Sequence, residues 1–195
     1  MKVLEEIIDH IIQNGDRIIT LLNKEDVLVY QFLKQEFDKS NATENFVFQF
    51  VFRSFYGVDR AGLSPEWKER YFALMQEYKA SDLRDSIKEL HLNELYQLPR
   101  LRGDNSLQFV FSTKLWNMID ENKPIYDSFV ATLFDFQIPI GHLEHRIEGC
   151  ISMYNQMTNM YHKILTGGLL NGILQKFDEK FAGNMLSQIK KLDRL

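Results

Sequence analysis

Apolar residues in the first forty positions follow the spacing of amphipathic helices. One stripe recurs every three or four positions and consists of Leu4, Ile7, Ile8, Ile11 and Ile12. A second stripe consists of Val27, Tyr30, Leu33 and Phe37. Spacing of this kind places apolar side chains on one helical face, so it predicts two helices in this region. The Asn-Gly-Asp run at residues 14–16 predicts a break in the first of them.

The most hydrophobic stretch of the chain is Phe-Val-Phe-Gln-Phe-Val-Phe-Arg-Ser-Phe-Tyr at residues 46–56. Its β-branched and aromatic residues would suit a strand. Strict alternation fails at Val51 and Phe52, however, and no partner strand is evident. We therefore predict a buried helix that ends near Gly57, with its aromatic side chains in the core.

The remaining pattern predicts further helices and short loops. Ser64, Pro65 and Glu66 provide an N-cap, a first-turn proline and a first-turn acid in that order, which predicts a helix start. Ser81 is expected to cap a helix that carries Leu83 and Leu95. Other helices are predicted at about 106–119, after Asp127, and at about 141–165, 169–181 and 187–195. The chain is thus predicted to be all-α, with about nine or ten helices in one domain that spans residues 1–195.

The composition of the chain limits the classes of protein to which it can belong. Of 195 residues, 45% are hydrophobic and 13% aromatic, which is enough apolar surface for a real core. The only cysteine is Cys150, so no disulfide framework can form within the chain. No apolar run reaches the ~18 residues of a membrane span, and the acidic residues after Met1 do not suit a secretory signal. A cytoplasmic location is therefore expected, without a membrane partner.

Lys114 and Asp127 are the residues whose placement suggests chemistry. Lys114 lies in a predicted helix rich in Phe and Leu, and desolvation beside an apolar wall can turn a lysine into an amine nucleophile. Asp127 lies at a predicted helix start, where backbone N–H groups keep a carboxylate ionised. A helix, a tight loop and a second helix could bring the two groups together. The ordinary alternative is a surface lysine and a helix cap.

The sequence around these two residues resembles a known family. Phe111-Ser-Thr-Lys114 is followed by Pro124-Ile-Tyr-Asp127-Ser-Phe-Val130, in an order similar to that of the helix-hairpin-helix superfamily of DNA glycosylases. The resemblance is closer to a group of poorly characterised bacterial proteins thought to share the oxoguanine-glycosylase-like fold. It covers residues 45–130 and implies a glycosylase-like core at about 45–166. Departures include a hairpin that retains only Gly103, and Phe129 where the family usually has histidine.

The resemblance implies a DNA base-excision glycosylase/lyase that acts on a modified base flipped from double-stranded DNA. Lys114 would attack the anomeric carbon and form a Schiff base, and Asp127 would stabilise the cationic sugar. Arg100, Arg102 and Gly103 would contact the DNA, and Trp116 would stack on the base. No cofactor or metal is implied. The formal net charge of −4 does not favour nucleic-acid binding, so the alternative is a non-catalytic helical module that binds nucleic acid or a protein.

Two further features complete the candidate chemistry. His142, His145 and Glu148 are spaced to lie on one helical face and could ligate zinc or iron, although the His-Glu-x-x-His pattern of zinc hydrolases is absent. A solvated helix surface explains these residues equally well. Cys150 lies beside Ile151 in an apolar helix and is expected to be a small buried residue.

Overall fold

The computed structural model describes the backbone of residues 4–81 and 88–195, and the side chains of residues 4–81 and 92–195. Regular structure in these residues is helical, and one isolated β-bridge joins Leu63 to Arg100. The helices are α1 (Leu4–Leu21), α2 (Lys24–Lys39), α3 (Phe46–Tyr56), α4 (Pro65–Ala80), α5 (Lys88–Gln97), α6 (Phe109–Ile119), α7 (Ser128–Phe134), α8 (Leu143–Thr166), α9 (Asn171–Lys180) and α10 (Gln188–Leu192), with a 3₁₀ turn at Val58–Ala61. The all-α prediction is confirmed.

The chain divides into two compact units, which are described separately. One contains Met1–Leu28 and Glu121–Leu195, and is called here the terminal unit. The other contains Val29–Asp120 and is called the central unit. The prediction of one domain over residues 1–195 stays a prediction. In the described part of the chain, no helix combines the length and the apolar character needed to cross a membrane.

Aromatic side chains form the core of the central unit. On α4, the rings of Trp67 and Tyr71 are stacked with centroids 4.9 Å apart, and both side chains are fully buried. Phe48 and Phe52 of α3 meet Phe72 edge-on at centroid distances of 6.0 and 5.7 Å. Aromatic pairs at such distances gain energy beyond the area they bury. They fix α3 against α4, and α4 also packs against α5 and α6.

The helix start predicted at Ser64 is confirmed. The Ser64 hydroxyl accepts a hydrogen bond from the backbone N–H of Trp67 at 3.1 Å, and Pro65 is the first residue of α4. This bond satisfies one of the N–H groups that the first turn of a helix leaves unpaired. Ser81 is the residue that ends α4, and the prediction that it caps the next helix stays a prediction. The start of the helix predicted near Leu83 falls outside the described residues, and α5 begins at Lys88.

In the terminal unit, α1 packs against α9, and α10 packs against α8 and α9. The predicted break at residues 14–16 is wrong, because α1 is continuous from Leu4 to Leu21. Gly15 is buried within α1, and a Cβ atom there would lie 2.2 Å from Cδ1 of Ile173. The glycine therefore lets α9 approach α1 closely. The glycine of the Asn-Gly-Asp run, which suggested a turn, is therefore explained by the packing of two helices.

Candidate functional site

Lys114 is the predicted nucleophile, and it lies on the least buried side of α6. Its side chain is half-buried, and its Nζ donates a hydrogen bond to the carbonyl oxygen of Tyr56 at 3.1 Å. The same Nζ lies 5.3 Å from the ring centroid of Tyr56 and 5.0 Å from that of Phe111. A carbonyl oxygen and two ring faces attract a positively charged ammonium group. The contacts therefore suit a structural cation more directly than a neutral amine nucleophile.

Trp116 is the predicted base-stacking residue, and its side chain is only 3% exposed. Its neighbour on α6, Asn117, is fully buried and accepts a hydrogen bond from the Tyr30 hydroxyl at 3.0 Å. An extruded base needs an accessible ring face on which to stack. The predicted role of Trp116 would therefore require its indole to leave the core.

The predicted DNA-contacting loop contains Arg100, Arg102 and Gly103. Gly103 donates its N–H to the Arg100 carbonyl at 2.9 Å with a φ of +83°, a left-handed conformation that favours glycine. The Arg100 guanidinium binds the Asp104 carboxylate, with Nε 3.1 Å from Oδ1, and this pairing lowers the pKa of Asp104. Asp104 thus offsets the charge of Arg100. Arg102 is exposed and could reach a phosphate without breaking that pair.

Asp127 lies in the terminal unit and is the N-cap of α7, as predicted. Its Oδ1 accepts hydrogen bonds from the backbone N–H groups of Phe129 at 2.9 Å and Val130 at 3.0 Å. The carboxylate therefore satisfies the N-terminal turn of the helix and interacts with its dipole. Lys114 belongs to the central unit, and the predicted pairing of Lys114 with Asp127 stays a prediction.

A buried ion pair in the terminal unit was not predicted from the sequence. Lys190 and Asp193 have side chains that are 2% and 3% exposed, and Nζ of Lys190 lies 3.6 Å from Oδ2 of Asp193. The other oxygen of Asp193 accepts the N–H of Ile125 at 3.0 Å. Burial lowers the pKa of Lys190 to about 7 and raises the pKa of Asp193 to about 6. Both shifts follow from removing a charge from water.

Further charged and polar groups surround this pair. The Tyr161 hydroxyl interacts with the Asp193 carboxylate and opposes the rise in the pKa of Asp193. The carboxylates of Asp193 and, more weakly, Asp127 oppose the lowering of the Lys190 pKa. Arg194 lowers the pKa of both members of the pair. No sequence signal marked the pair, because two consecutive lysines resemble a solvated surface. Its depth separates it from substrates, and its visible role is to hold α10.

The structure bears on the possible metal site at His142, His145 and Glu148 and on the predicted burial of Cys150. Among the residues that the structure describes, no group of three or more His, Cys, Asp or Glu side chains could hold a metal ion. His142 is the N-cap residue of α8, and its side chain makes no capping hydrogen bond. Cys150 is fully buried, and burial raises the pKa of its thiol to about 11. The prediction that Cys150 is a small buried residue is confirmed.

The prediction that the aromatic residues of 46–56 form core is correct for only one face of α3. Phe48 and Phe52 are fully buried. Phe46, Val47 and Phe50 are 75%, 64% and 63% exposed, and these three side chains are called here the outer face of α3. A groove of about 490 Å³ adjoins its N-terminal end. The groove is lined by Ser40, Asn41, Glu44, Asn45, Phe46 and Val47.

The helical architecture places the chain in the all-α class, whose members perform many unrelated functions. Comparisons of the chain with protein-family models, curated proteins and solved structures found no match. The function therefore has to be argued from the chemistry of the described side chains. The outer face of α3 and the surroundings of Lys114 are the two regions that carry such an argument.

Proposed function

We propose that this chain is a non-catalytic protein-interaction module and that the outer face of α3 is its binding surface. The observation that supports the proposal is the exposure of Phe46, Val47 and Phe50, each more than half open to solvent. Single exposed apolar residues are ordinary on protein surfaces. Three large ones in two adjacent turns of one helix form a contiguous apolar patch, and such patches mark interaction sites.

The composition of α3 is that of an interface core. Positions 45–52 hold no charged residue, and Arg53 in the last turn of α3 is paired with Asp59. Phe46 and Phe50 supply two exposed aromatic rings. Cores of protein interfaces are depleted in charge and enriched in aromatic side chains. Aromatic anchors that bury their rings in a partner account for much of the binding energy in such interfaces.

The rigidity of α3 also supports a binding role. Asn45 caps its N-terminus by accepting the N–H of Phe48 at 2.9 Å, and Gly57 ends it in a left-handed conformation with a φ of +71°. Phe48 and Phe52 anchor the inner face in the core. The outer face is thus ordered before a partner arrives, so less conformational entropy is lost on binding.

The test is a paired substitution on the outer face, Phe46→Ser with Phe50→Ser. The matched control is Leu21→Ser with Met185→Ser, because these apolar residues are 73% and 74% exposed in the terminal unit. Tagged chains would be used to isolate binding proteins, and each candidate would then be purified and titrated. We expect the α3 variant to lose at least about tenfold in affinity, which is the usual effect of removing an anchor residue.

The complex should also protect the amides of α3 from hydrogen exchange, and the control variant should bind like the wild type. Equal affinity of the α3 variant and the wild type for every purified partner would contradict the proposal. Circular dichroism of each variant establishes that the helices remain folded. The exposed positions of all four substitutions make a large loss of stability unexpected.

A second candidate is the base-excision chemistry implied by the family resemblance, with Lys114 as nucleophile. The observation in its favour is that the Lys114 amine is half-buried among aromatic rings in the same unit as the exposed Arg102. Borohydride would trap a Schiff base between Lys114 and lesion-containing duplex DNA. We expect Lys114→Gln to abolish trapping and Lys39→Gln, at an exposed lysine, to retain it. No trapped adduct across a broad lesion panel would rule the chemistry out.

A further inference from the structure

The outer face of α3 has a shape that is complementary to itself. Phe46, Phe50 and Ser54 are four residues apart, so they form one ridge along the helix. Ser54 is exposed, as are the two aromatic residues. The ridge therefore has a large side chain at its N-terminal end, a large one at its centre and a small one at its C-terminal end. Val47 lies beside the ridge, between the two phenylalanines.

We propose that the outer face of α3 binds the same face of a second copy of this chain, with the two α3 helices antiparallel. The proposal rests on the proposed function and identifies the occupant of that surface. A two-fold axis passes beside Phe50, so Phe50 meets its own equivalent. Phe46 of each copy then lies over Ser54 of the other, where the small side chain leaves room for the ring. Such self-complementarity is what an isologous dimer requires.

The charge of the surface permits this pairing. A two-fold axis places each residue near its own equivalent, so any charge at the centre would face a like charge. Positions 45–52 carry no charge, which removes that repulsion next to the axis. Arg53 is the one charged residue between positions 46 and 54; the axis would place it opposite residue 47 of the other copy and not opposite its own equivalent, and its Nε lies 3.3 Å from Oδ2 of Asp59. The net charge of −4 opposes association at long range, but salt at physiological strength screens charges beyond about 8 Å. Raising the salt concentration should therefore strengthen the dimer.

The exposed area is also of the size that a small dimer needs. A phenylalanine side chain offers about 150–250 Å², so the three exposed side chains present roughly 350 Å² per copy. Two copies would bury about 700 Å² of apolar surface. The smallest specific interfaces bury about 1,200 Å² in total. Somewhat more than half of that area is apolar in typical interfaces, so the patch supplies the expected apolar core.

The first experiment measures molar mass by sedimentation equilibrium over a wide range of protein concentration. We expect a monomer–dimer equilibrium for the wild type and a shift to monomer for Phe50→Asp, since this change places two carboxylates face to face. Leu21→Asp is the control at an apolar residue that is 73% exposed, against 63% for Phe50, and it should dimerise like the wild type. A monomer at every concentration, or a dimer unaffected by Phe50→Asp, would overturn the proposal.

A second experiment tests the register by disulfide formation under mild oxidation. The double variant Phe46→Cys with Ser54→Cys should form a covalent dimer, because residues 46 and 54 face each other across the axis. Ser54→Cys alone should not, because the two copies of residue 54 would be about 12 Å apart along the helices, beyond disulfide reach. The native Cys150 is fully buried and leaves the background clear. Linkage in the single variant, or no linkage in the double variant, would exclude the antiparallel register.

The outcomes for the two proposals can be separated. A monomeric chain whose α3 amides are protected by a different purified protein overturns self-association and supports the interaction module. A chain whose dimer and whose other complexes all survive substitution of Phe46 and Phe50 overturns both. Loss of the dimer in Phe50→Asp with an unchanged circular dichroism spectrum supports both.

Discussion

Helices α3 and α10 reverse the usual relation between residue type and burial. α3 exposes Phe46, Val47 and Phe50, whereas α10 buries Lys190 and Lys191 at 2% and 6% exposure. In α3, the buried side of the helix already carries two phenylalanines that anchor it. In α10, each buried lysine has a carboxylate partner, Asp193 for Lys190 and Asp178 for Lys191. The residue type therefore sets the free-energy cost of exposing an apolar side chain or burying a charged one. The contacts of the neighbouring side chains decide whether that cost is offset.

The two faces of α3 differ most in what they contribute to stability. Phe52→Ala removes a fully buried ring that contacts Tyr71 and Phe72, and it should lower the free energy of unfolding by about 3–5 kcal/mol. Urea denaturation monitored by circular dichroism would measure the change. A loss below about 1 kcal/mol would mean that the inner face does not anchor α3.

The buried pair of Lys190 on α10 and Asp193 just after it should contribute nearly as much to stability. Lys190→Met leaves Asp193 buried without its amine, and we expect a loss of about 3 kcal/mol in the free energy of unfolding. The double variant Lys190→Met with Asp193→Leu removes both charges and should recover most of that loss. Lys191→Met is the matched control, since its partner Asp178 is 43% exposed and can be solvated. Equal losses in the two single variants would show that burial of the pair is unimportant.

The same pair should give the stability an unusual dependence on pH. Between pH 3.8 and about 6, the folded state holds the Asp193 proton more tightly than the unfolded state does, so stability falls as the pH rises. Between about pH 7 and 10.5, the unfolded state holds the Lys190 proton more tightly, so stability rises with pH. The pair thus contributes a minimum near pH 6–7. Subtracting the profile of the Lys190→Met, Asp193→Leu variant isolates it, and a difference that is flat with pH would contradict the assignment.

The smallest effect is expected on the outer face of α3. Phe50→Ser changes a side chain that is 63% exposed, so the free energy of unfolding of the monomer should change by no more than about 0.5 kcal/mol. The measurement is urea denaturation at a protein concentration where the wild type is monomeric. A loss comparable with that of Phe52→Ala would show that Phe50 is part of the core and would remove the basis for a binding surface.

Local sequence signals predicted the ends of the helices well where those ends depend on contacts between residues that are close in sequence. The start of α4 at Ser64 and Pro65, and the cap of α7 at Asp127, depend on hydrogen bonds within three residues. Gly15 misled the prediction, because its role is close contact with Ile173, far away in the sequence. For the candidate chemistry, the sequence indicated Lys114 but not its contacts with Tyr56 and Phe111.

The order of residues along the chain determines the helical class of this protein, because helix periodicity, capping residues and turn residues act over a few positions. Which side of α3 faces the core, and which lysines enter it, is decided by the tertiary structure. Burial depends on the neighbours that a residue meets from distant parts of the chain. A stripe of aromatic residues is the same in sequence whether its second face is covered or open. Lys190 resembles a surface lysine in sequence, and its partner Asp193 is held in the core by contacts with Ile125 and Tyr161, which are far away along the chain.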